Sequence, residues 1–141
     1  MTDALDIRSI ADADVPAVLA LWAATFPDPR PWNQPAAYLP RKRAHGDDQL
    51  LVAVLAGRLV GAVALGWDGV RGWIYHLAVA PALRRRGVGR ALMRAAEDRL
   101  RARGCPKVNL QVLSDNRAVV AFYEALGYAV EPRISMGKTL A

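Results

Sequence analysis

Leu77-Ala78-Val79-Ala80-Pro81-Ala82-Leu83-Arg84-Arg85-Arg86-Gly87-Val88-Gly89-Arg90-Ala91-Leu92 is the stretch that decides the fold. The apolar run from Ile74 to Val79 is short, is bounded by Gly72 and Pro81, and reads as a buried strand. Beyond the arginines Val88, Ala91, Leu92, Ala95, Ala96, Arg99 and Leu100 recur at helical spacing, so the period changes from strand to helix across a basic turn. The first turn of a helix offers backbone N–H groups without intrahelical partners, together with the positive end of the helix dipole. Gly87 and Gly89 let an anion approach the main chain, and Arg84, Arg85, Arg86 and Arg90 add charge and donors. The residues leave two readings open, a pyrophosphate site or an arginine-rich solvated loop. A nucleotide-hydrolysing P-loop is excluded because no Gly-Lys-Ser/Thr follows, and a dinucleotide fingerprint is not made because Leu92 stands at its third small position.

Arg84-Arg85-Arg86-Gly87-Val88-Gly89, preceded by an apolar strand and Ala78-Val79-Ala80-Pro81, resembles the Gln/Arg-x-x-Gly-x-Gly/Ala loop of the GNAT superfamily of acetyl-CoA-dependent N-acetyltransferases. Asn116 with Ala118, then Ala121-Phe122-Tyr123-Glu124-Ala125-Leu126-Gly127-Tyr128, is similar to a second signature of that family. The match runs from about Gln49 to Tyr128. Outside it, Arg30-Pro31-Trp32-Asn33, Arg103-Gly104-Cys105-Pro106-Lys107 and Ser135-Met136-Gly137-Lys138 resemble small bacterial GNAT proteins of the YpeA type. The resemblance implies an α/β (α+β) fold: a mixed, mostly antiparallel sheet with a central, splayed parallel strand pair and helices on both faces. It also implies acetyl-CoA as co-substrate, with the pantetheine arm along Leu77, Ala78 and Val79 and the pyrophosphate on Arg84, Arg85, Arg86, Gly87, Val88, Gly89 and Arg90. Asn116 and Tyr123 then contact the cofactor from the opposite side.

The implied reaction is attack of a neutral amine on the thioester. It needs a route for the ammonium proton, a donor to the carbonyl oxygen and an acid for the leaving thiolate. Tyr123 matches the family's acid, and a backbone N–H near Val79 is the oxyanion donor. Read without the family, Tyr123 is an apolar-stripe residue with its hydroxyl on water. Many members carry a glutamate base on a splayed strand, but Trp73 and Gln111 stand at those positions here. Tyr75 and His76 remain, and strand alternation puts them on opposite faces. A water chain drawing on Tyr75 or Asp68, or a low-pKa amine that needs no base, stays open. The rival reading is a non-catalytic acyl-CoA-binding or regulatory module, favoured by the missing carboxylate and opposed by Tyr123 and Asn116.

At 141 residues the chain suits one domain, 1–141, with a real core. A hydrophobic fraction of 53% excludes a disordered tail, while no apolar run approaches a membrane span and Met1-Thr2-Asp3 is no signal peptide. The chain therefore reads as cytoplasmic, with no membrane partner. The single Cys105 forms no internal disulfide and has no ligand cluster, so no metal is expected. A net charge of +6 points to polyanionic partners, which covers phosphorylated cofactors and nucleic acid alike. No nucleic-acid module or basic-aromatic platform is present, so no nucleic-acid partner is expected. The acceptor that the resemblance implies is a small-molecule or peptide amine, and the positive charge weighs against highly cationic ones. An open wedge and a terminal edge strand favour a homodimer.

From the start, Leu5–Ile10 alternates as an edge strand, and a helix follows with Asp12 or Asp14 as cap, Pro16 in its first turn and a stripe of Val15, Val18, Leu19, Leu21, Trp22 and Phe26. Pro27 to Pro35 is too proline-dense for regular structure; its Trp32 and Asn33 are candidate substrate-binding residues, with Tyr75, or Trp32 plugs a gap between helices. Ala36–Ala44 reads as a short helix ending near Gly46, with Arg41, Lys42 and Arg43 mostly solvated. Leu50–Leu55 and Leu59–Trp67 flank a hairpin turn and precede Trp73–Val79, giving three antiparallel strands. Gly104 ends the long helix, and Lys107–Leu113 forms a strand parallel to its predecessor. A final helix capped by Asp115 or Asn116 stacks Val119, Phe122, Tyr123 and Leu126 and stops at Gly127; Ala129–Leu140 returns as a last strand.

Overall fold

The computed structural model describes residues 4–27, 30–45 and 49–140. Asp28 and Pro29 of the proline-dense segment, Gly46 as a helix stop and the Met1-Thr2-Asp3 start lie outside them. The chain divides into two units, Met1–Gln111 and Val112–Ala141.

The first unit is a five-stranded sheet in the order β1-β2-β3-β4-β5. Its strands are β1 (Asp6–Ser9), β2 (Leu50–Leu55), β3 (Arg58–Trp67), β4 (Gly72–Val79) and β5 (Val108–Leu110). The first four pair antiparallel, and β4 with β5 is the parallel pair. The hairpin between β2 and β3 turns on Ala56 and Gly57, with φ of 51° and 74°; two positive values match the twist of the flanking strands.

Both faces of the sheet are covered. Residues 60–65 are all buried, because successive side chains point to opposite faces and each face meets a helix. One face packs α1 (Val15–Thr25) and α2 (Pro35–Arg43) against Leu50, Val52, Ala62, Ala64 and Ala78, with Val18, Trp22 and Leu39 at the contact. The other carries α3 (Val88–Ala102), whose buried stripe is Val88, Leu92, Met93, Ala96 and Leu100. Gly61 sets how close α3 comes: a Cβ there would lie 2.8 Å from Leu92 Cδ1 and 3.2 Å from Val88 Cγ1. Each large side chain so buried is worth about 1.5–3 kcal/mol.

Neither Asp12 nor Asp14 caps α1 through its side chain. Asp14 instead accepts from both terminal nitrogens of Arg8, at 2.6 and 3.1 Å, and from the Ala11 N–H at 2.7 Å. The Arg8 hydrogen bonds hold this carboxylate below its usual range and tie β1 to the start of α1. The basic end of α2 is likewise engaged: Arg41 donates to the Trp32 carbonyl, Arg43 pairs with Asp12, and half-buried Lys42 donates to Gln49.

The second unit contains α4 (Arg117–Ala125), capped by Asn116, whose Oδ1 accepts the Val119 N–H at 3.3 Å. Gly127, at φ 97°, ends it. Beyond it no strand forms over residues 129–140, contrary to the last strand expected there, and Ile134, Met136 and Leu140 stand in irregular chain. These side chains are 90% or more exposed; a strand needs a partner ladder, and none meets this segment. No helix among the described residues is long and apolar enough to cross a membrane.

Candidate functional site

The parallel pairing of β4 with β5 covers only Gly72↔Val108, Trp73↔Asn109 and Ile74↔Leu110. Past Ile74 the two strands no longer hydrogen-bond, and no other strand of the sheet takes the place of β5. Ala80 N–H donates to the Val60 carbonyl on the β3 side at 2.8 Å, so the Val79 N–H, one residue back, points to the open side. Main-chain donors and acceptors of Leu77 to Val79 are thereby available to an extended amide-bearing chain.

A bulge interrupts β4. Four residues, from Tyr75 to Ala78, oppose the three from Ala64 to Ala62, and His76 takes φ 52°. A left-handed histidine is an uncommon conformation that persists only where its surroundings enforce it. Here the imidazole lies among Tyr38, Trp22 and Phe26, with centroids 4.6, 5.2 and 5.2 Å away. Tyr75 and His76 therefore share the face of α1 and α2, and their expected opposition is corrected: the extra residue breaks the alternation on which it rested.

Between β4 and α3, Pro81–Leu83 forms a 3-10 turn, Arg84 to Gly87 are exposed, and Arg85 and Gly87 take φ of 67° and 82°. Gly87 caps α3 without a side chain, and nothing lies within 4 Å of where its Cβ would stand. Ala91 N–H is the one that reaches the Gly87 carbonyl, which leaves the N–H groups of the preceding turn directed outward. The donor set suits a pyrophosphate: main-chain N–H groups, an unobstructed approach, and the cations Arg84, Arg85, Arg86 and Arg90.

On the α1–α2 face lies a cavity of about 490 Å³. Tyr38, Trp73 and Tyr75 supply its rings, and Trp67 borders it from the end of β3. Lys42, His45, Gln49 and Asp68 supply its polar rim, and Gly66 leaves space, since a Cβ there would come within 3.4 Å of Lys42 Nζ. Asp68 Oδ1 accepts from the Val70 and Arg71 N–H groups at 2.8 and 2.9 Å, and its carboxylate also accepts from Trp73; these bonds keep it below the usual carboxylate range. Burial raises the Tyr75 phenol above its ordinary value and the Tyr38 phenol further still. The Tyr38 hydroxyl and Trp22 Nε1 are buried with no hydrogen-bond partner among the described residues.

In the second unit, Tyr123 is 9% exposed and packs edge-on to Phe122 and Tyr128 at 5.0 and 5.7 Å. Burial pushes its phenol up to about 12, so it stays protonated through neutrality.

Of the residues singled out from the sequence, Tyr75, Trp73 and Asp68 come together at the cavity. Trp32 and Asn33 sit on a separate 3-10 turn, Trp32 is 46% exposed, and neither lines the cavity. Sequence reasoning missed Tyr38, Lys42, Gln49 and Trp67. Tyr38 and Lys42 do carry a helical i, i+4 signal, and the hairpin register that sets Gly66 opposite Trp73 brings Trp67 alongside.

Residues 15–128 match the acetyltransferase (GNAT) family. An acetyltransferase of Pectobacterium atrosepticum is 43% identical over 136 residues, covering 96% of this chain and 96% of that protein. An acetyltransferase of Yersinia enterocolitica is 42% identical over 136 residues, with the same shares covered. Among solved structures, aminoglycoside N-acetyltransferase AAC(6')-Iy in complex with CoA superposes with a TM-score of 0.82 at 17% identity, covering 100% of this chain and 98% of that one. The ribosomal-protein-S18-alanine N-acetyltransferase of Escherichia coli gives 0.72 at 24% identity, covering 88% and 77%. At such identities the likeness of these two structures is one of fold.

Proposed function

Because the chain belongs to the acetyltransferase (GNAT) family, we propose that residues 1–141 act as one domain that transfers an acetyl group from acetyl-CoA to a primary amine by direct attack on the thioester. The observation that carries this is the open edge of β4 leading into the left-handed Gly87 at the start of α3. An extended arm pairs with Leu77 to Val79, and its pyrophosphate rests on the N–H groups and arginines of residues 84–90.

The Val79 N–H donates to the thioester oxygen as charge develops there; such a fixed donor strengthens in the transition state at no cost of reorganisation. Tyr123, held protonated by burial, gives its proton to the leaving thiolate, and Asn116, besides capping α4, contacts the arm. The acceptor gives up its ammonium proton to water, and Tyr75, 45% exposed, lines the cavity on the acceptor side. His76, packed by three rings, holds the bulge that sets Tyr75 and the open edge in place.

Thiol release from acetyl-CoA over a panel of small amines and N-terminal peptides, with wild type and Tyr123→Phe side by side, tests this reading. Amine-dependent release that drops about 10²–10⁴-fold in the variant is expected for loss of a general acid. Tight CoA binding with no release for any amine would identify a binding module instead, a reading favoured by the absence of a carboxylate at Trp73 and Gln111. Failure to bind CoA would overturn the assignment of residues 84–90.

A further inference from the structure

We propose that the acceptor is polyamine-like, one nitrogen being acetylated while a second, positively charged nitrogen is held in the cavity of Trp67, Trp73, Tyr75 and Asp68; the proposal rests on the transferase reading above. Aromatic faces attract a cation through their quadrupole, by about 0.5–1 kcal/mol at exposed sites and about 2 when desolvated. Two such rings, those of Trp73 and Tyr75, stand beside Asp68, the one carboxylate among the described lining residues. An ionised carboxylate has about four acceptor directions. Asp68 spends three on Val70, Arg71 and Trp73, which fix its orientation and leave a lone pair for a ligand N–H. Lys42, on the α2 side, is engaged with Gln49, so the cavity has a cationic and an anionic end.

Spacing separates this nitrogen from the reacting one. Trp73 and Tyr75 precede Val79 by six and four residues, and at about 3.3 Å per residue the cavity lies roughly 10 Å or more along the strand from the oxyanion donor. The held nitrogen is thus not the nucleophile, and a chain must join the two. The net charge of +6 does not oppose this. Its densest part, Arg84 to Arg86, lies beyond the far end of β4, more than a Debye length of about 8 Å from Trp73. At the cavity the local balance is Lys42 and Arg71 against Asp68.

The test compares diaminooctane with aminooctanol of the same length, in wild type and Asp68→Asn, an isosteric change that keeps an oxygen for the turn N–H groups. Wild type is expected to prefer the diamine in kcat/KM by about 2–5-fold, the worth of one exposed cation–π contact. Asp68→Asn should reduce that preference, chiefly by raising the KM of the diamine. Tetramethylammonium, which cannot be acetylated, should quench tryptophan fluorescence in wild type and compete with the diamine. Because the turn N–H groups depress the Asp68 carboxyl, its quenching should hold through neutral pH and fade only in acid. Equal turnover of both amines without quenching overturns the proposal and leaves the transferase reading intact. Quenching that Asp68→Asn abolishes, with no turnover of any amine, supports the cation site and overturns the transferase.

Discussion

β4 carries two sites built in opposite ways. Its C-terminal half and the loop to α3 are made of main chain: an unpaired edge, a left-handed glycine, the N–H groups of a helix start. Its N-terminal half borders a cavity made of side chains drawn from α2, the end of β3 and β4 itself. A main-chain site reads only what every molecule of one class shares, in our proposal a diphosphate and an amide-bearing arm. A side-chain site can be re-lined residue by residue without disturbing the sheet. One strand can thus keep a constant donor and change its acceptor.

Independence of the two halves can be broken experimentally. The largest effect is expected from replacing Arg84, Arg85 and Arg86 together by Ala. CoA affinity should fall about 100-fold, as for two charge-assisted hydrogen bonds of about 1.5 kcal/mol each, and its salt dependence should flatten. Equilibrium binding read at several salt concentrations checks this; a parallel collapse of amine preference would show the two halves to be coupled. Gly61→Ala should come next. It forces Leu92 and Val88 outward, costs about 1–3 kcal/mol in urea unfolding and weakens CoA binding through the displaced start of α3. Amine preference should survive, because Gly61 faces away from the cavity. The smallest effect is expected for Tyr38→Phe. Removing a buried hydroxyl without a partner should leave the urea midpoint unchanged or raise it by up to about 1 kcal/mol equivalent, and a loss larger than that would mean the hydroxyl is bonded.

This contrast also explains how much was legible beforehand. The strand-loop-helix was readable because glycines at fixed spacing beside a change of period are local signals. The bulge was not, because what holds His76 in a left-handed conformation is the ring cluster of Trp22, Phe26 and Tyr38, tens of residues away in sequence. Lys42 looked solvated from its place in a basic run, yet Gln49 and the gap above Gly66 draw it inward. The tail failed for a third reason. A local reading gives at most extended chain, and extended chain becomes a strand only where a ladder is offered.

The extra residue in β4 has a consequence for descent as well as for chemistry. Trp73 and Tyr75 before it and Ala78 after it all face α1 and α2, while Val79 pairs with Gly61 on the α3 side. Loss of a single codon elsewhere in the strand would turn every later side chain to the wrong face. At His76 or Leu77 the same loss restores a regular alternation and leaves Tyr75, Ala78 and Val79 facing as they do now. Lineages can therefore gain or shed one residue at this point, altering the centre of the cleft in a single mutational step while both flanks stay in phase.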